Sequence, residues 1–226
     1  MADEQQKPHA VGASGTAAKD TGRKPGATVE RRHGANLPHW RVDGGTYAVT
    51  FRLADSLPAK VLQRWRIERE EIEALAVAMG RPLTVYELAR LKDLHSERVE
   101  EWLDQGHGSY ALRDERVAAL VRDAMHHFHG ARYDLFAWCV MPNHVHAVLR
   151  TYDGVDLSRV LMSWKGFTGK KARQLLGGEG AFWQKEPYDH LIRDAEDHQK
   201  QIAYVLDNPR KAGLANWPWV GRGPSN

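Results

Sequence analysis

Apolar and polar residues alternate over several short stretches of the chain, which is the pattern of strands that bury one face. β-branched and aromatic residues are common in these stretches, as strands favour. Four stretches show the pattern: residues 46–53, 132–141, 144–151 and 182–193. Pro142-Asn143 separates the second from the third and predicts a tight turn between adjacent strands.

Longer, more charged stretches have the spacing of helices. They are residues 57–104, with a break at residues 80–82, residues 113–129, residues 157–176, and a last helix that carries Tyr204. Asp194 is a typical N-cap for the last helix, and Gly177 is expected to end the helix before it. Pro209 is expected to stop the last helix.

The element order is strand, helices, strand, strand, helix, strand, helix. This order favours an α+β fold in which helices pack on one face of an antiparallel sheet. Residues 1–34 are rich in Lys, Arg, Gly, Ala and Ser and lack periodicity, which predicts a disordered basic tail. One domain is predicted at residues 35–221, and the charged helices of residues 57–104 form an insertion within it.

Composition adds limits rather than a function. The net charge of +3 and the pI of about 9.0 are compatible with nucleic-acid binding but do not require it. No apolar stretch approaches the roughly 20 residues that span a bilayer. The N-terminal residues lack the apolar core of a secretory signal, and Cys139 is the lone cysteine, so a cytoplasmic protein without disulfides is expected.

His144 and His146 are the candidate metal ligands. Residues two apart on a strand share a face and lie roughly 7 Å apart, so both imidazoles can reach one ion. Two imidazoles leave a divalent ion such as Mg²⁺ or Mn²⁺ open to water and phosphate oxygens. Imidazoles bind metal only when unprotonated, so activity should fade below about pH 6.5. The alternative is that the two are an ordinary core or surface histidine and its neighbour.

Tyr204 and Asn208 lie four residues apart and therefore share one face of the last predicted helix. Tyr204 is a candidate nucleophile, although a free phenol with a pKa near 10 needs a cation or metal beside it. The amide oxygen of Asn208 is a candidate third metal ligand. The alternatives are a core or rim tyrosine and a C-cap asparagine before Pro209.

Basic side chains are candidate phosphate contacts in two places. They are Lys165, Lys170, Lys171 and Arg173 in the helix at residues 157–176, and Arg210 and Lys211 after Asn208. Trp164 and Phe167 add aromatic rings that can stack on bases. The alternative is a helix that packs in the core and exposes a solvated basic face.

Several motifs together resemble the REP-associated tyrosine transposases, which belong to the wider class of single-tyrosine HUH transposases. The matching blocks, which span most of residues 37–219, are LPHWRVDGGTYAVTFRLADSLP, WCVMPNHVHAVL, SWKGFTGKKA, FWQKEPYDHLIRD, YVLDNPRKAGL and the WPW after it. HUH denotes His-hydrophobic-His, here His144-Val145-His146. The MPNHVH, YDHLIRD and NPRKAGL blocks in this order are the specific part of the resemblance.

The resemblance implies a ferredoxin-like antiparallel sheet with the histidine pair on a central strand. It implies metal-dependent cutting of single-stranded DNA, in which Tyr204 becomes joined to the 5′ phosphate and a 3′ hydroxyl is released. It implies His144, His146 and Asn208 as ligands of Mg²⁺ or Mn²⁺, and hairpin-forming repeat DNA as the partner. Tyr188, in the YDHLIRD block, is interpreted as a structural sheet residue, with a place in the site as the alternative.

Two other functions compete with this one. A protein that binds DNA hairpins without cutting them would use the basic helix alone. A metal hydrolase of small molecules is disfavoured, because no third strong ligand stands at a standard spacing from the histidine pair. The sequence is compatible with both a monomer and a homodimer.

Overall fold

The computed structural model describes residues 30–33, 38–93, 103 and 107–224. Its strands are β1 (Glu30–His33), β2 (Pro38–Arg41), β3 (Thr46–Arg52), β4 (Tyr133–Val140), β5 (His144–Thr151), β6 (Tyr188–Leu191) and β7 (Val220–Arg222). Its helices are α1 (Ala59–Ala78), α2 (Val85–Asp93), α3 (Glu115–His126), α4 (Leu157–Leu176) and α5 (Ala195–Lys211). In the described residues no helix is long and apolar enough to cross a membrane.

Strands β3 to β7 form one five-stranded sheet with the order β6-β3-β5-β4-β7. Every neighbouring pair in it is antiparallel. Without β7, the connectivity is β3-α3-β4-β5-α4-β6 and the order is fourth, first, third, second, which is the ferredoxin-like arrangement. The predicted α+β fold with an antiparallel sheet is therefore confirmed.

The two sides of β5 belong to different cores. Val145, Ala147 and Leu149 lie in the larger core, which α3 and α4 cover. Val148 lies in a second core with residues of α5 on the other side of the sheet. Helices therefore pack on both faces, not on one face as the element order suggested. The reason is that α5 follows the last strand of the ferredoxin-like unit and crosses to the face that α3 and α4 leave open.

Most of the predicted elements are confirmed. Strand β5 and helix α4 have the expected bounds, Gly177 ends α4 with a positive φ of 70°, and the Asp194 side chain caps α5 by accepting from the Asp197 amide. Two helices with a break between them occupy the first part of the insertion at residues 57–104. Residues 94–102 and 104 of that insertion, and the two residues after it, lie outside the described part of the chain.

Residues 182–193 contain the predicted further strand, which is Tyr188–Leu191 and begins directly after Pro187, a residue that cannot donate to a ladder. The prediction for the N-terminal tail needs correction. Residues 30–33 form a strand paired with Pro38–Arg41, so this part of the predicted tail has structure, and residues 1–29 lie outside the described residues.

Helix α5 also departs from the prediction, because it continues through Pro209 to Lys211. Proline is tolerated there because only one helical hydrogen bond, to Val205, is lost close to the end. The C-cap is Ala212, so Asn208 lies inside the helix and is not its cap.

Candidate metal and tyrosine site

The two histidines lie at the start of β5, directly after the Pro142-Asn143 turn. Their rings meet edge to face, with centroids 4.6 Å apart, and each residue is only 2% exposed. Antiparallel partners share a face, so His144 stands beside Arg52 and His146 beside Thr50 of the neighbouring strand β3. The structure therefore brings the two predicted ligands together on the face that α5 covers.

Asn143 fixes the orientation of the His144 ring. The Asn143 side-chain amide nitrogen donates to the main-chain carbonyls of Leu103 (3.0 Å) and His107 (3.4 Å), which leaves its oxygen facing His144. That oxygen lies 2.7 Å from Nδ1 of His144. Because an amide oxygen only accepts, Nδ1 carries the proton and Nε2 keeps its lone pair. Metal-binding histidines are commonly held in this way.

His146 is held by Thr50, whose hydroxyl lies 2.8 Å from Nδ1 of the ring. This contact joins the neighbouring strands β3 and β5 through Nδ1, so it does not involve Nε2, the other nitrogen of the ring. Nε2 of His146 is buried and has no hydrogen-bond partner in the described residues. A buried polar atom without a protein partner is costly, so this nitrogen is available to a metal, a ligand or an ordered water.

Both imidazoles are neutral at physiological pH. Burial lowers the pKa of His146 to about 3. Burial first, then the proximity of His146 and the positive charge of Arg52, hold the pKa of His144 well below its usual range. The expected loss of activity below about pH 6.5 assumed ordinary imidazoles. With these lowered values, the pair stays unprotonated, and able to bind a metal, well below that pH.

Tyr204 lies on α5 and faces the histidine pair. Its ring meets the His146 ring edge to face, with centroids 5.6 Å apart. Nζ of Lys211 lies 4.6 Å from the centre of the tyrosine ring. The tyrosine is half-buried, at the rim of the core between the sheet and α5. The ring of the predicted nucleophile thus contacts both a candidate metal ligand and a cation.

Asn208 follows Tyr204 by one helical turn, on the side of α5 that meets the sheet. It is 4% exposed, and its side-chain oxygen is buried without a hydrogen-bond partner in the described residues. An amide oxygen in this state needs a donor or a cation. On this face Asn208 thus contributes the second buried polar atom without a partner in the described residues, after Nε2 of His146.

The donor set fits a divalent cation. Nε2 of His146 and the side-chain oxygen of Asn208 are both without partners, and Nε2 of His144 has its lone pair. Two imidazoles and an amide oxygen suit Mn²⁺ better than Mg²⁺, which favours oxygen alone. Within the described part of the chain, no group of three or more His, Cys, Asp and Glu side chains could hold a metal, and the Asn208 amide is the candidate third ligand there.

The basic side chains of α4 divide into two kinds. Lys170 and Lys171 are exposed on the helix surface. Lys165 donates to the carbonyl of Lys185 at 2.8 Å, and Arg173 donates to the carbonyl of Gly180, so both brace the loop before β6. Lys170 and Lys171 therefore present their charges to solvent, whereas Lys165 and Arg173 also hold carbonyl groups of the loop.

The aromatic residues of α4 also divide. Trp164 is 2% exposed, and its indole N–H donates to the Tyr133 hydroxyl at 2.9 Å, so it is a core residue and not a stacking platform. Phe167 is 52% exposed on the outside of α4. The two proposed readings of this helix, core packing and an exposed basic surface, thus apply to its two sides.

Arg210 is exposed at the end of α5 and forms an ion pair with Asp207. Its charge is therefore partly compensated within the helix. Lys211, its neighbour, lies over the Tyr204 ring instead. The two predicted phosphate contacts after Asn208 thus have different surroundings, and Lys211 is the one next to the candidate nucleophile.

Tyr188 lies on the edge strand β6, directly opposite Thr50. Because Thr50 also stands opposite His146, the three residues form one row across the site face of the sheet. His190, two residues later, is tied to α5 by a 2.7 Å contact with Asp197. Tyr188 is therefore a second tyrosine close to the site, and experiments on Tyr204 have to include it.

Sequence reasoning missed three residues of this site: Thr50, Arg52 and Asn143. Asn143 stood in the MPNHVH block but was interpreted only as part of a turn. Thr50 and Arg52 could have been found only from the pairing of β3 with β5, which joins residues 96 positions apart. No local periodicity contains that register.

The chain is similar to two curated proteins. It is 28% identical over 91 residues to the REP-associated tyrosine transposase of Escherichia coli (strain K12), covering 38% of this chain and 53% of that protein. It is 27% identical over 101 residues to the putative REP-associated tyrosine transposase of Haemophilus influenzae, covering 38% of this chain and 57% of that protein. The chain thus spans about half the length of the curated relatives it matches.

A solved structure described as a REP-associated tyrosine transposase bound to a REP hairpin covers 83% of this chain and 82% of its own, with a TM-score of 0.49 and 19% identity. No protein-family model matches the chain. The matches to the two curated proteins confirm the resemblance that the sequence motifs indicated.

Proposed function

We propose that this chain, a relative of the REP-associated tyrosine transposases, is a metal-dependent single-stranded DNA endonuclease and strand transferase with Tyr204 as its nucleophile. One observation carries the proposal. The His146 ring contacts the rings of both His144 and Tyr204, with centroids at 4.6 and 5.6 Å, on a face with two buried polar atoms that have no partner in the described residues.

In the proposed reaction the Tyr204 oxygen attacks a phosphorus atom of the DNA strand. An O–P bond forms to the tyrosine, and the bond from phosphorus to the 3′ oxygen breaks. The phenol loses its proton, and the leaving 3′ oxygen gains one to become a hydroxyl. The product is a 5′-phosphotyrosine link, and attack by another 3′ hydroxyl would reverse the step and complete strand transfer.

The chain's own residues hold the parts of this reaction in place. His144, His146 and Asn208 would bind Mg²⁺ or Mn²⁺, which when bound polarises the phosphate for attack. Asn143 and Thr50 fix the two imidazole rings, so little ordering is needed when the substrate arrives. Lys211 supplies a positive charge beside the tyrosine ring.

The proposed substrate is single-stranded DNA that folds into a hairpin, as the resemblance to the REP-associated transposases implies. Lys170, Lys171 and Arg210 are exposed and would contact phosphates of the DNA without reading its sequence. Binding to such a hairpin without cleavage is the second candidate function. The exposed Phe167 beside Lys170 and Lys171 favours it, because that surface of α4 needs no metal.

The test is formation of a covalent adduct. Wild-type protein is incubated with labelled single-stranded hairpins and Mn²⁺ or Mg²⁺, and the products are separated on a denaturing gel. We expect a protein–DNA adduct that Tyr204→Phe abolishes and that EDTA prevents. Tyr188→Phe is the matched control, because this tyrosine lies on the same face of the sheet, and it should keep the adduct.

Each outcome decides between the candidates. An adduct that survives in Tyr204→Phe but disappears in Tyr188→Phe would move the nucleophile to β6. Hairpin binding without any adduct, across several hairpins and both metals, would support the binding protein and reject the nuclease.

A further inference from the structure

Arg52 is a largely buried cation at the end of β3, next to the candidate metal ligands. It stands directly opposite His144 in the β3–β5 pairing, so both side chains lie on the face that α5 covers. Its positive charge contributes to the lowered pKa of His144 and of Lys165. The guanidinium therefore lies within electrostatic reach of both the histidine pair and a lysine of α4.

Arg52 has no acidic partner among the described residues. In the described residues its guanidinium donates to the Ser56 hydroxyl at 3.4 Å, near the outer limit of a hydrogen bond. That hydroxyl already donates to the Leu53 carbonyl at 2.8 Å, so the turn does not depend on Arg52. Burial lowers the pKa of Arg52 to about 10. Arginines in such surroundings are normally paired with a carboxylate.

Lys165 adds a second cation to this region. Burial first, and then the charge of Arg52, lower the pKa of Lys165 to about 8, while Glu186 acts in the opposite direction. Arg52 therefore lies beside the neutral His144 on one side and close enough to Lys165 for the two cations to repel each other. An anion placed there would relieve both the repulsion and the burial of an unpaired guanidinium.

We propose that Arg52 binds a non-bridging oxygen of the DNA phosphate at which Tyr204 acts, and so positions that phosphate beside His144. The inference rests on the proposed function. Arginine suits this role because its planar fork can make two hydrogen bonds to one phosphate. An arginine with a purely structural role would be paired within the protein. Arg52 is instead left without an acidic partner among the described residues, which lowers the stability of the free protein.

The experiment uses the full chain without metal, so cleavage is not needed. Affinity for a fluorescent DNA hairpin with a single-stranded flank is measured over a series of salt concentrations for wild type, Arg52→Gln and Arg52→Lys. Arg116→Gln is the matched control, since Arg116 is exposed, paired with Asp114 and located on α3. Loss of one phosphate contact should reduce the slope of log affinity against log salt by about 0.7 in Arg52→Gln alone.

Thermal unfolding supplies a readout that needs no DNA. Inorganic phosphate, compared with chloride at the same ionic strength, should raise the melting temperature of wild type more than that of Arg52→Gln. In chloride, Arg52→Gln should melt at or above the wild-type temperature, because it removes an unpaired buried charge. A structural brace at Ser56 predicts the reverse, a lower melting temperature with an unchanged response to phosphate.

An unchanged salt slope and an unchanged phosphate response in Arg52→Gln would overturn the assignment of Arg52. Wild-type protein that forms no adduct would instead overturn the nuclease, and the metal-free measurements would still decide whether Arg52 binds an anion. The two failures are therefore distinguishable.

Discussion

The two faces of strand β5 differ in how completely their side chains are satisfied. Val145, Ala147 and Leu149 are fully buried among apolar side chains of α3, α4 and the neighbouring strands. On the opposite face, His144 and His146 are almost as buried, yet His146 and Asn208 each keep a buried polar atom without a partner in the described residues. One face meets the usual requirements of a core, and the other leaves two polar atoms available to a ligand.

This difference follows from the alternation of a strand. A single segment of eight residues places Val145, Ala147 and Leu149 in the larger core and places the two histidines of the proposed site on the other face. Stability and function should therefore respond to different substitutions in the same strand.

The largest expected effect is on the apolar face. Leu149→Ala should lower the free energy of unfolding by about 2–5 kcal/mol, because it removes a fully buried side chain and leaves a cavity. Denaturant unfolding measures the loss, and the adduct formed per folded molecule should stay the same.

On the other face, His146→Gln should abolish the adduct at a smaller cost in stability. Equal losses of stability and activity in both variants would remove the distinction between the faces.

Asn143 allows a test of the polar face at a single side chain, the ring of His144. Asn143→Ala should weaken Mn²⁺ binding 10–100-fold, about 1.4–2.8 kcal/mol, since the ring of His144 loses the acceptor that holds its proton on Nδ1. Asn143→Asp keeps an acceptor and should retain most of the affinity. Titration with Mn²⁺ measures the affinity, and nitrogen chemical shifts of His144 in the metal-free protein report which ring nitrogen carries the proton.

A purely structural Asn143 gives a different result. Both variants would then melt at lower temperature, because both lose the donors to the Leu103 and His107 carbonyls, while the proton on the His144 ring would stay on the same nitrogen. The signal that is missing from the spectrum of the His144→Gln variant is the one that belongs to His144.

The smallest expected effect is the loss of stability that the two buried histidines cause as the pH falls. The folded protein holds the pKa of His146 at about 3 and that of His144 well below normal, whereas the unfolded values are near 6.5. Below pH 6.5 the unfolded chain therefore binds more protons, and stability that is complete above this pH is lost as the pH falls towards the folded values. Each histidine contributes a slope of at most about 1.4 kcal/mol per pH unit.

The measurement is denaturant unfolding of metal-free protein at a series of pH values. The double variant His144→Gln/His146→Gln should flatten the curve between pH 6.5 and 4, and His127→Gln, at an exposed position, should leave it unchanged. A double variant with the wild-type slope would show that these imidazoles are not neutral and buried in solution.

Local patterns predicted the parts of the fold that depend on neighbours in sequence. Alternation located β5 to the residue, and Asp194 and Gly177 marked the ends of their helices because capping depends on a few adjacent residues. The histidine pair and the Tyr204–Asn208 spacing were visible for the same reason. Their roles as ligands and nucleophile stay predictions.

What escaped prediction depends on pairing across the sheet or on tertiary packing. Thr50 and Arg52 acquire their positions only when β3 registers with β5. The passage of α5 through Pro209 reflects packing that outweighs the loss of one helical hydrogen bond. The covering of both faces depends on where α5 folds back, which the order of elements alone does not specify.

The carbonyls that hold Asn143 belong to Leu103, near the end of the charged helical segment, and to His107, three residues after it. Replacing the side chains of those two residues would leave the carbonyls available, but shortening the segment would not. A trimmed version of the chain must therefore still deliver two main-chain oxygens to the same point. The histidine pair therefore limits how far the chain around Leu103 and His107 can be shortened, although it does not limit which side chains stand at those two positions.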